Sequence, residues 1–176
     1  ATGYNGNGEL GINNTANQTT FVQVVDAEGT GKLSNIKSIS AGANTTYAIT
    51  TTGEMYGWGY NGYGQLGIGD TANRIKPTKS NLQKIKQIAA NEYSTIALTE
   101  DGEIYGAGYN TEGELGLGYN QEKVLKWGKV KDPNGTDDIS NATQIATGRY
   151  HIVVLTNNGK VYSAGYNNVY QLADGT

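Results

Sequence analysis

Residue types that often support catalysis or covalent stability are scarce or absent in this sequence. It contains no cysteine, which excludes disulfide bonds and thiolate chemistry. Its one histidine, His151, excludes a metal site built from several histidines. The net charge of -3 has the wrong sign for a nucleic-acid-binding surface, and no run approaches the roughly 20 apolar residues of a membrane-spanning helix. We therefore expect no nucleic-acid partner and no membrane span.

The same scarcity argues against catalysis. His151 is the one conventional general base in the chain. Glu9, Asp101, Glu112 and Glu114 are scattered through predicted loops, and nothing in their spacing marks an acid–base pair. The glycine-rich stretch 57–64 is followed by neither the lysine nor the helix that a phosphate-binding loop requires. We predict a protein that is not an enzyme and has no catalytic residue, metal site or cofactor.

Glycine and tyrosine are abundant, at 26 and 13 of 176 residues, whereas only 36% of the residues are hydrophobic. A Gly-Tyr-Asn corner followed by a glycine-punctuated loop occurs four times, about fifty residues apart, and a period of this length indicates a repeat architecture. The corners begin at Gly3, Gly59, Gly108 and Gly165. We expect several thin cores, one per repeat, rather than one large core.

Each repeat contains short apolar runs joined by tight turns. In the second copy, the runs 85–90 and 94–99 are followed by a turn at Asp101-Gly102 and a further run at 103–107. Asp-Gly between such runs predicts a hairpin, because a type I′ turn needs positive φ at both central residues. Fourth strands are expected at 20–25, 75–79 and 127–131. No apolar pattern has a period of 3.6 residues, so almost no helix is expected.

These features predict an all-β fold, a single repeat domain over residues 1–176 made of β-propeller blades with four antiparallel strands each. The chain holds three repeats and a remnant, with approximate bounds 1–57, 58–106, 107–163 and 164–176.

The repeat resembles that of the regulator of chromosome condensation family. The stretch 85–118 follows the family pattern of Val-x-x-Val-Ala-Ala-Gly, His-Thr-x-Ala-Leu-Thr, Asp-Gly-x-Val-Tyr-x-Trp-Gly-x-Asn and Gly-Gln-Leu-Gly. The chain departs from it in two columns. The family histidine occurs only as His151, for which we expect a packing role, and the family tryptophan only as Trp58. Thr2, Ala107 and Ala164 occupy the tryptophan column elsewhere, which suggests a divergent branch.

The resemblance implies a seven-bladed propeller, and three repeats are too few to close a ring of four to eight blades. The favoured interpretation is an arc of a larger propeller. The alternative is a homo-oligomer in which identical chains close the ring, because the run 20–25 is a fourth strand without its blade and the third repeat lacks a fourth strand.

Two columns of the repeat are candidates for partner binding, because loops on a rigid scaffold carry recognition and tyrosine is a frequent interface anchor. One column is the residue pair after the first strand, and the other is the tyrosine of the Gly-Tyr-Asn corner, which either packs between blades or is exposed. A secreted inhibitor of β-lactamases with similar repeats grips its target through such loop aromatics. The predicted site consists of Asn44, Tyr60, Glu92, Tyr93, Tyr109, Arg149 and Tyr150.

We therefore predict a non-enzymatic protein-binding or structural scaffold. The resemblance implies one alternative, a nucleotide-exchange factor for a small GTPase. Exposed tyrosines would also suit a second alternative, a glycan-binding surface module. The Asn-, Tyr- and Gly-rich composition without cysteine suggests an extracellular or cell-surface protein of a low-GC bacterium or its phage.

Overall fold

The computed structural model describes residues 1–175, and these residues form eleven strands and no helix. The strands are β1 (Ile36–Ala41), β2 (Thr45–Thr50), β3 (Met55–Gly59), β4 (Arg74–Lys79), β5 (Ile85–Ala90), β6 (Ser94–Thr99), β7 (Ile104–Asn110), β8 (Gln121–Lys129), β9 (Ala142–Thr147), β10 (His151–Thr156) and β11 (Val161–Gly165).

The strands form three antiparallel sheets, which we call the first, second and third blades. Their strand orders are β1-β2-β3-β4, β5-β6-β7-β8 and β11-β10-β9. The predicted all-β fold with blade-like antiparallel sheets is confirmed. The hairpin at Asp101-Gly102 is also confirmed, because β6 and β7 pair antiparallel. The expected type I′ turn is wrong: Gly102 has a φ of +83°, but Asp101 is not among the residues with positive φ.

The expected fourth strands have mixed outcomes. The strand at 75–79 is confirmed as β4, and the strand at 127–131 is confirmed as β8, which begins earlier, at Gln121. The expected strand at 20–25 is wrong. Within it only Val25 forms a bridge, to Lys32, because the backbone hydrogen bonds of this segment go to separate loop residues and not to one continuous strand.

The hydrophobic core lies between adjacent blades. β2 and β6 bury residues on both faces, whereas β10 of the third blade buries alternate residues. All six residues of β6 are buried. One cluster joins the first and second blades and includes Tyr47, Ile49, Met55, Leu66 and Ile85. Another joins the second and third blades and includes Ile96, Leu115, Val130, Ile145 and Ile152. Each blade therefore depends on its neighbour to cover it.

The asparagine of each Gly-Tyr-Asn corner fixes the loop that follows. In the second blade, Asn110 Oδ1 accepts a hydrogen bond of 2.9 Å from the Leu115 N–H, and Asn110 Nδ2 donates one of 2.7 Å to the Tyr119 carbonyl. Asn5, Asn61 and Asn167 accept the same bond from Leu10, Leu66 and Leu172. Only a side chain with both an acceptor and a donor can satisfy both backbone groups.

Candidate protein-binding surface

The two predicted columns are neighbours in every blade. In each blade, the backbone carbonyl of the residue before the second strand accepts a hydrogen bond from the N–H of the corner tyrosine. The loop after the first strand and the Gly-Tyr-Asn corner therefore lie at the same end of the blade. The three bonds are Tyr60 N to Asn44 O at 2.8 Å, Tyr109 N to Tyr93 O at 2.9 Å and Tyr166 N to Tyr150 O at 2.9 Å. Repetition of this bond gathers the loops of three blades along one edge of the molecule.

Four tyrosines of the first two blades form what we call the tyrosine cluster, namely Tyr60, Tyr63, Tyr93 and Tyr109. Tyr63 lies at its centre, and its ring centroid is 5.0 Å from that of Tyr93, 5.4 Å from that of Tyr109 and 6.4 Å from that of Tyr60. All these pairs are edge-to-face, which is a favourable geometry for aromatic rings. Each ring is half-buried, so the cluster is packed and still reaches the surface.

An ion pair extends the tyrosine cluster to the third blade. Glu92 Oε2 lies 3.2 Å from Arg149 Nη2, and the Arg149 guanidinium lies 5.1 Å from the centroid of the Tyr150 ring. The Tyr150 ring in turn packs edge-to-face on Tyr166, with centroids 6.1 Å apart. We call Glu92 and Arg149 the Glu92–Arg149 bridge.

Glu92 also holds the ring of Tyr93 in place, because the Tyr93 hydroxyl donates a hydrogen bond to Glu92 Oε1. This bond to a carboxylate, reinforced by burial, raises the pKa of Tyr93 to about 12. The hydroxyl therefore stays protonated throughout the physiological range. On the other side of the cluster, Lys123 Nζ lies 5.3 Å from the centroid of the Tyr63 ring. The surface thus combines aromatic rings with charges of both signs.

The structure brings six of the seven predicted site residues into this contiguous surface: Tyr60, Glu92, Tyr93, Tyr109, Arg149 and Tyr150. Asn44 holds the same backbone position but has no ring, so the surface begins at Tyr60. The corner tyrosines were expected either to pack between blades or to be exposed, and neither description fits all of them. Tyr60, Tyr109 and Tyr166 are half-buried, while Tyr4 is 63% exposed.

Sequence reasoning missed Tyr63, the residue at the centre of the cluster. The other repeats carry Asn7, Glu112 and Val169 at this position, so a search for repeated columns does not find it. The available signal was an extra aromatic residue inside a glycine-rich loop.

The sequence predicted a packing role for His151. Its imidazole lies against Gly148 in the turn before β10.

The described residues offer few features of other site classes. Within residues 1–175, no three histidine, cysteine, aspartate or glutamate side chains are grouped so that they could hold a metal ion. In that same part of the chain, no helix is long and apolar enough to cross a membrane.

Two sequence patterns, both described as Regulator of chromosome condensation (RCC1) repeat, match this chain. One matches residues 36–65, 85–114 and 142–171. The other matches residues 52–98 and 101–155. Both therefore fall on the strands and loops that build the three blades.

Curated relatives match over the whole chain. The ultraviolet-B receptor UVR8 of Arabidopsis thaliana is 33% identical over 178 residues, covering 98% of this chain and 38% of the receptor. The human X-linked retinitis pigmentosa GTPase regulator is 45% identical over 177 residues, covering 100% of this chain and 17% of the regulator. The chain thus spans well under half of either relative.

Among solved structures, Prp20p of Saccharomyces cerevisiae superposes with a TM-score of 0.69 at 26% identity. The match covers 84% of this chain and 36% of Prp20p, a protein characterised for its binding to Gsp1p and histones.

Proposed function

Because this chain belongs to the regulator of chromosome condensation (RCC1) repeat family, we propose that it is a non-enzymatic scaffold that binds a protein partner. The contact surface consists of the tyrosine cluster, the Glu92–Arg149 bridge and the Tyr150–Tyr166 pair. The observation that carries this proposal is that half-buried rings of three blades lie along one surface. Ring centroids are 5.0 to 6.4 Å apart within the tyrosine cluster and within the Tyr150–Tyr166 pair, and the Glu92–Arg149 bridge joins the two groups.

The chemistry of this surface suits a folded protein. Tyrosine supplies a large, rigid contact area at low entropic cost, and its hydroxyl tolerates a wet rim. The rings already support one another, so little order has to be created on binding. Arg149 is exposed and lies between the tyrosine cluster and the Tyr150 ring, while Lys123 is half-buried beside Tyr63. Charged groups on a contact surface favour orientation and association rate.

The packing of the rings favours a protein over a glycan. A sugar stacks on an open, flat aromatic face. In the tyrosine cluster, the interplanar angles are 61° to 84°, so ring edges lie against neighbouring ring faces. The cluster presents a ridged surface and not a flat platform. The binding of Prp20p to Gsp1p and histones supports a protein partner for a related repeat surface.

Affinity capture from an extract of the source organism tests the proposal. The bait is the full chain, either wild type or with Tyr93→Ala and Tyr150→Ala together. The matched control carries Tyr105→Ala and Tyr162→Ala, which remove two half-buried tyrosines near the other ends of β7 and β11. We expect a protein that is retained by the wild type and the control and is lost from the first variant.

Loss of the protein from both variants would contradict the surface assignment, as would its retention by both. Circular dichroism must show that each bait is folded. A glycan array probed with the same baits tests the glycan-binding alternative. That alternative requires the wild type and the control to bind a glycan that the Tyr93→Ala and Tyr150→Ala variant does not bind. The exchange-factor alternative requires faster release of labelled GDP from a small GTPase in the presence of the chain.

A further inference from the structure

The first strand of each blade lies at an edge of its sheet, and these edge strands follow one another from blade to blade. β1 lies beside β5, and β5 lies beside β9. Between β5 and β9, Gln87 Nε2 donates a hydrogen bond of 2.7 Å to the Ile145 carbonyl, and the Ile145 N–H donates one of 3.1 Å to Gln87 Oε1. One carboxamide thus pairs with both backbone groups of a residue in the next blade.

The Ile145 backbone is available to Gln87 because hydrogen bonds alternate along an antiparallel pair of strands. The Gly148 N–H donates a hydrogen bond of 2.9 Å to the His151 carbonyl, so every second residue before Gly148 directs its N–H and carbonyl toward β10. Ile145 precedes Gly148 by three residues and directs both groups away from β10. The two bonds to Gln87 agree with this orientation.

Ile88 has the same orientation in β5. The Asn91 N–H donates a hydrogen bond of 3.0 Å to the Ser94 carbonyl, and Ile88 precedes Asn91 by three residues, as Ile145 precedes Gly148. The N–H and carbonyl of Ile88 therefore point away from β6 and toward the first blade. They repeat, one blade earlier, the pair of backbone groups that Gln87 binds in β9.

The residue equivalent to Gln87 in β1 is Ser38, because Ser38 pairs with Ile49 as Gln87 pairs with Leu98. Serine carries no amide, and its side chain ends one atom beyond Cβ, so it leaves the place beside Ile88 open. A notch of about 240 Å³ lies there, between β1 and β5. Its lining includes Ser38, Ser40, Ile49, Lys86 and Ile88.

We propose that this notch binds the side-chain carboxamide of a glutamine from a partner polypeptide. The amide nitrogen donates to the Ile88 carbonyl and the amide oxygen accepts from the Ile88 N–H, as in the contact between Gln87 and Ile145. Ile49 and the aliphatic stem of Lys86 provide apolar surface for the two methylene groups of the glutamine. The notch does not involve the tyrosine cluster, so this inference is independent of the proposed function.

The chemistry of the notch selects the amide over charged side chains. Ile88 presents one donor and one acceptor side by side. An ionised carboxylate has only acceptors, and an ammonium group has only donors, so each would leave one backbone group without a partner. Glutamine is favoured over asparagine because the side chain of Gln87 already spans the equivalent gap between β5 and β9.

A nuclear magnetic resonance titration of the isotope-labelled full chain tests the notch, with N-acetylglutamine methylamide as the probe. We expect the Ile88 N–H signal to shift and to saturate at probe concentrations on the order of 10 mM. N-acetylglutamate methylamide should give no saturable shift at neutral pH, because its carboxylate has no donor. Acetamide should bind at least about tenfold more weakly, because it lacks the methylene groups that contact the notch.

Two substitutions place the response at the notch. Ser38→Gln supplies the amide from the chain itself and should abolish the Ile88 shift, whereas Ser140→Gln, at an exposed serine before β9, is the control that should keep it. Gln87→Ser should open the equivalent place in the next blade. The Ile145 N–H signal of that variant should then respond to the probe, although it does not respond in the wild type.

Absence of a saturable Ile88 shift in the wild type is the result expected if water alone fills the notch, and it would overturn the proposal. An equal response to the glutamate probe, or a shift that persists in folded Ser38→Gln, would also overturn it. Acetamide binding as tight as that of the glutamine probe would assign the notch to small free amides and overturn the glutamine assignment. The wild-type titrations need no substitution, so the test does not depend on the folding of a variant.

Discussion

Glu114 is a buried carboxylate that a single substitution can test. It is 1% exposed, and its Oε2 accepts a hydrogen bond of 2.9 Å from the Glu112 N–H, while Oε1 is buried with no partner. The first blade has Gln65 at the equivalent position, where Gln65 Oε1 accepts the same kind of bond from the Tyr63 N–H. Glu114→Gln should therefore keep the bond and remove a charge that the surroundings do not compensate.

The sign of the effect depends on pH. Burial raises the pKa of Glu114 above its ordinary value of 4.5, so the folded state binds the proton more tightly than the unfolded state. This contribution to folding stability is fully present below pH 4.5 and is lost as the pH rises through the folded-state pKa. Glu114→Gln removes this loss of stability at higher pH. The variant should therefore match the wild type in free energy of unfolding in acid and exceed it most at neutral pH.

The gain at neutral pH is limited by the new amide. An unpaired buried charge costs more than an unpaired neutral group, whose cost is about 1–3 kcal/mol, and Gln65 Nε2 is itself buried with no partner. We therefore expect a net gain of about 1–2 kcal/mol, which corresponds to a melting temperature about 2–8 °C higher for a chain of this size.

Thermal unfolding followed by circular dichroism, at neutral pH and below pH 4.5, measures this effect. Glu9→Gln is the matched control, because Glu9 occupies the same column but both of its oxygens accept hydrogen bonds, from Asn7 N at 2.9 Å and Asn7 Nδ2 at 2.8 Å. The control should show no gain at either pH. A Glu114→Gln gain that is equal at both pH values, or a loss at neutral pH, would refute the desolvation argument.

Three further predictions test the blades by thermal or chemical unfolding. Gly102→Val should lower the free energy of unfolding far more than Gly159→Val. Both glycines have positive φ, but a Cβ at Gly102 would lie 2.9 Å from a backbone carbonyl oxygen, whereas one at Gly159 would meet nothing within 4 Å. Equal losses of stability in the two variants would exclude this clash. Trp127→Phe should cost less than about 1.5 kcal/mol and Trp127→Ala about 3–5 kcal/mol, and a large cost for Phe would reveal a hydrogen bond of the indole. Asn110→Ala should cost about 2–4 kcal/mol, because two buried backbone groups lose their partners, and an unchanged midpoint would contradict the corner's role.

Much of the architecture was predictable because its signals are local. The turn at Asp101-Gly102 places a glycine where φ is positive, and the apolar runs on either side pair as β6 and β7. The repeat period then indicated stacked blades, since one thin sheet cannot cover its own faces. The segment 20–25 shows the limit of this reasoning, because a β-branched run becomes a strand only beside a continuous partner.

The sequence by itself determined the repeats, the hairpins, the glycine and asparagine corners and the membership of the candidate columns, because each depends on residues close together in the chain. The tertiary structure alone decided which side chains meet. Tyr63 lies at the centre of the tyrosine cluster, Glu92 contacts Arg149 of the next blade, and the indole of Trp127 packs on Gly67 of the first blade. Those contacts depend on how two blades pack, and no spacing within one repeat carries that information.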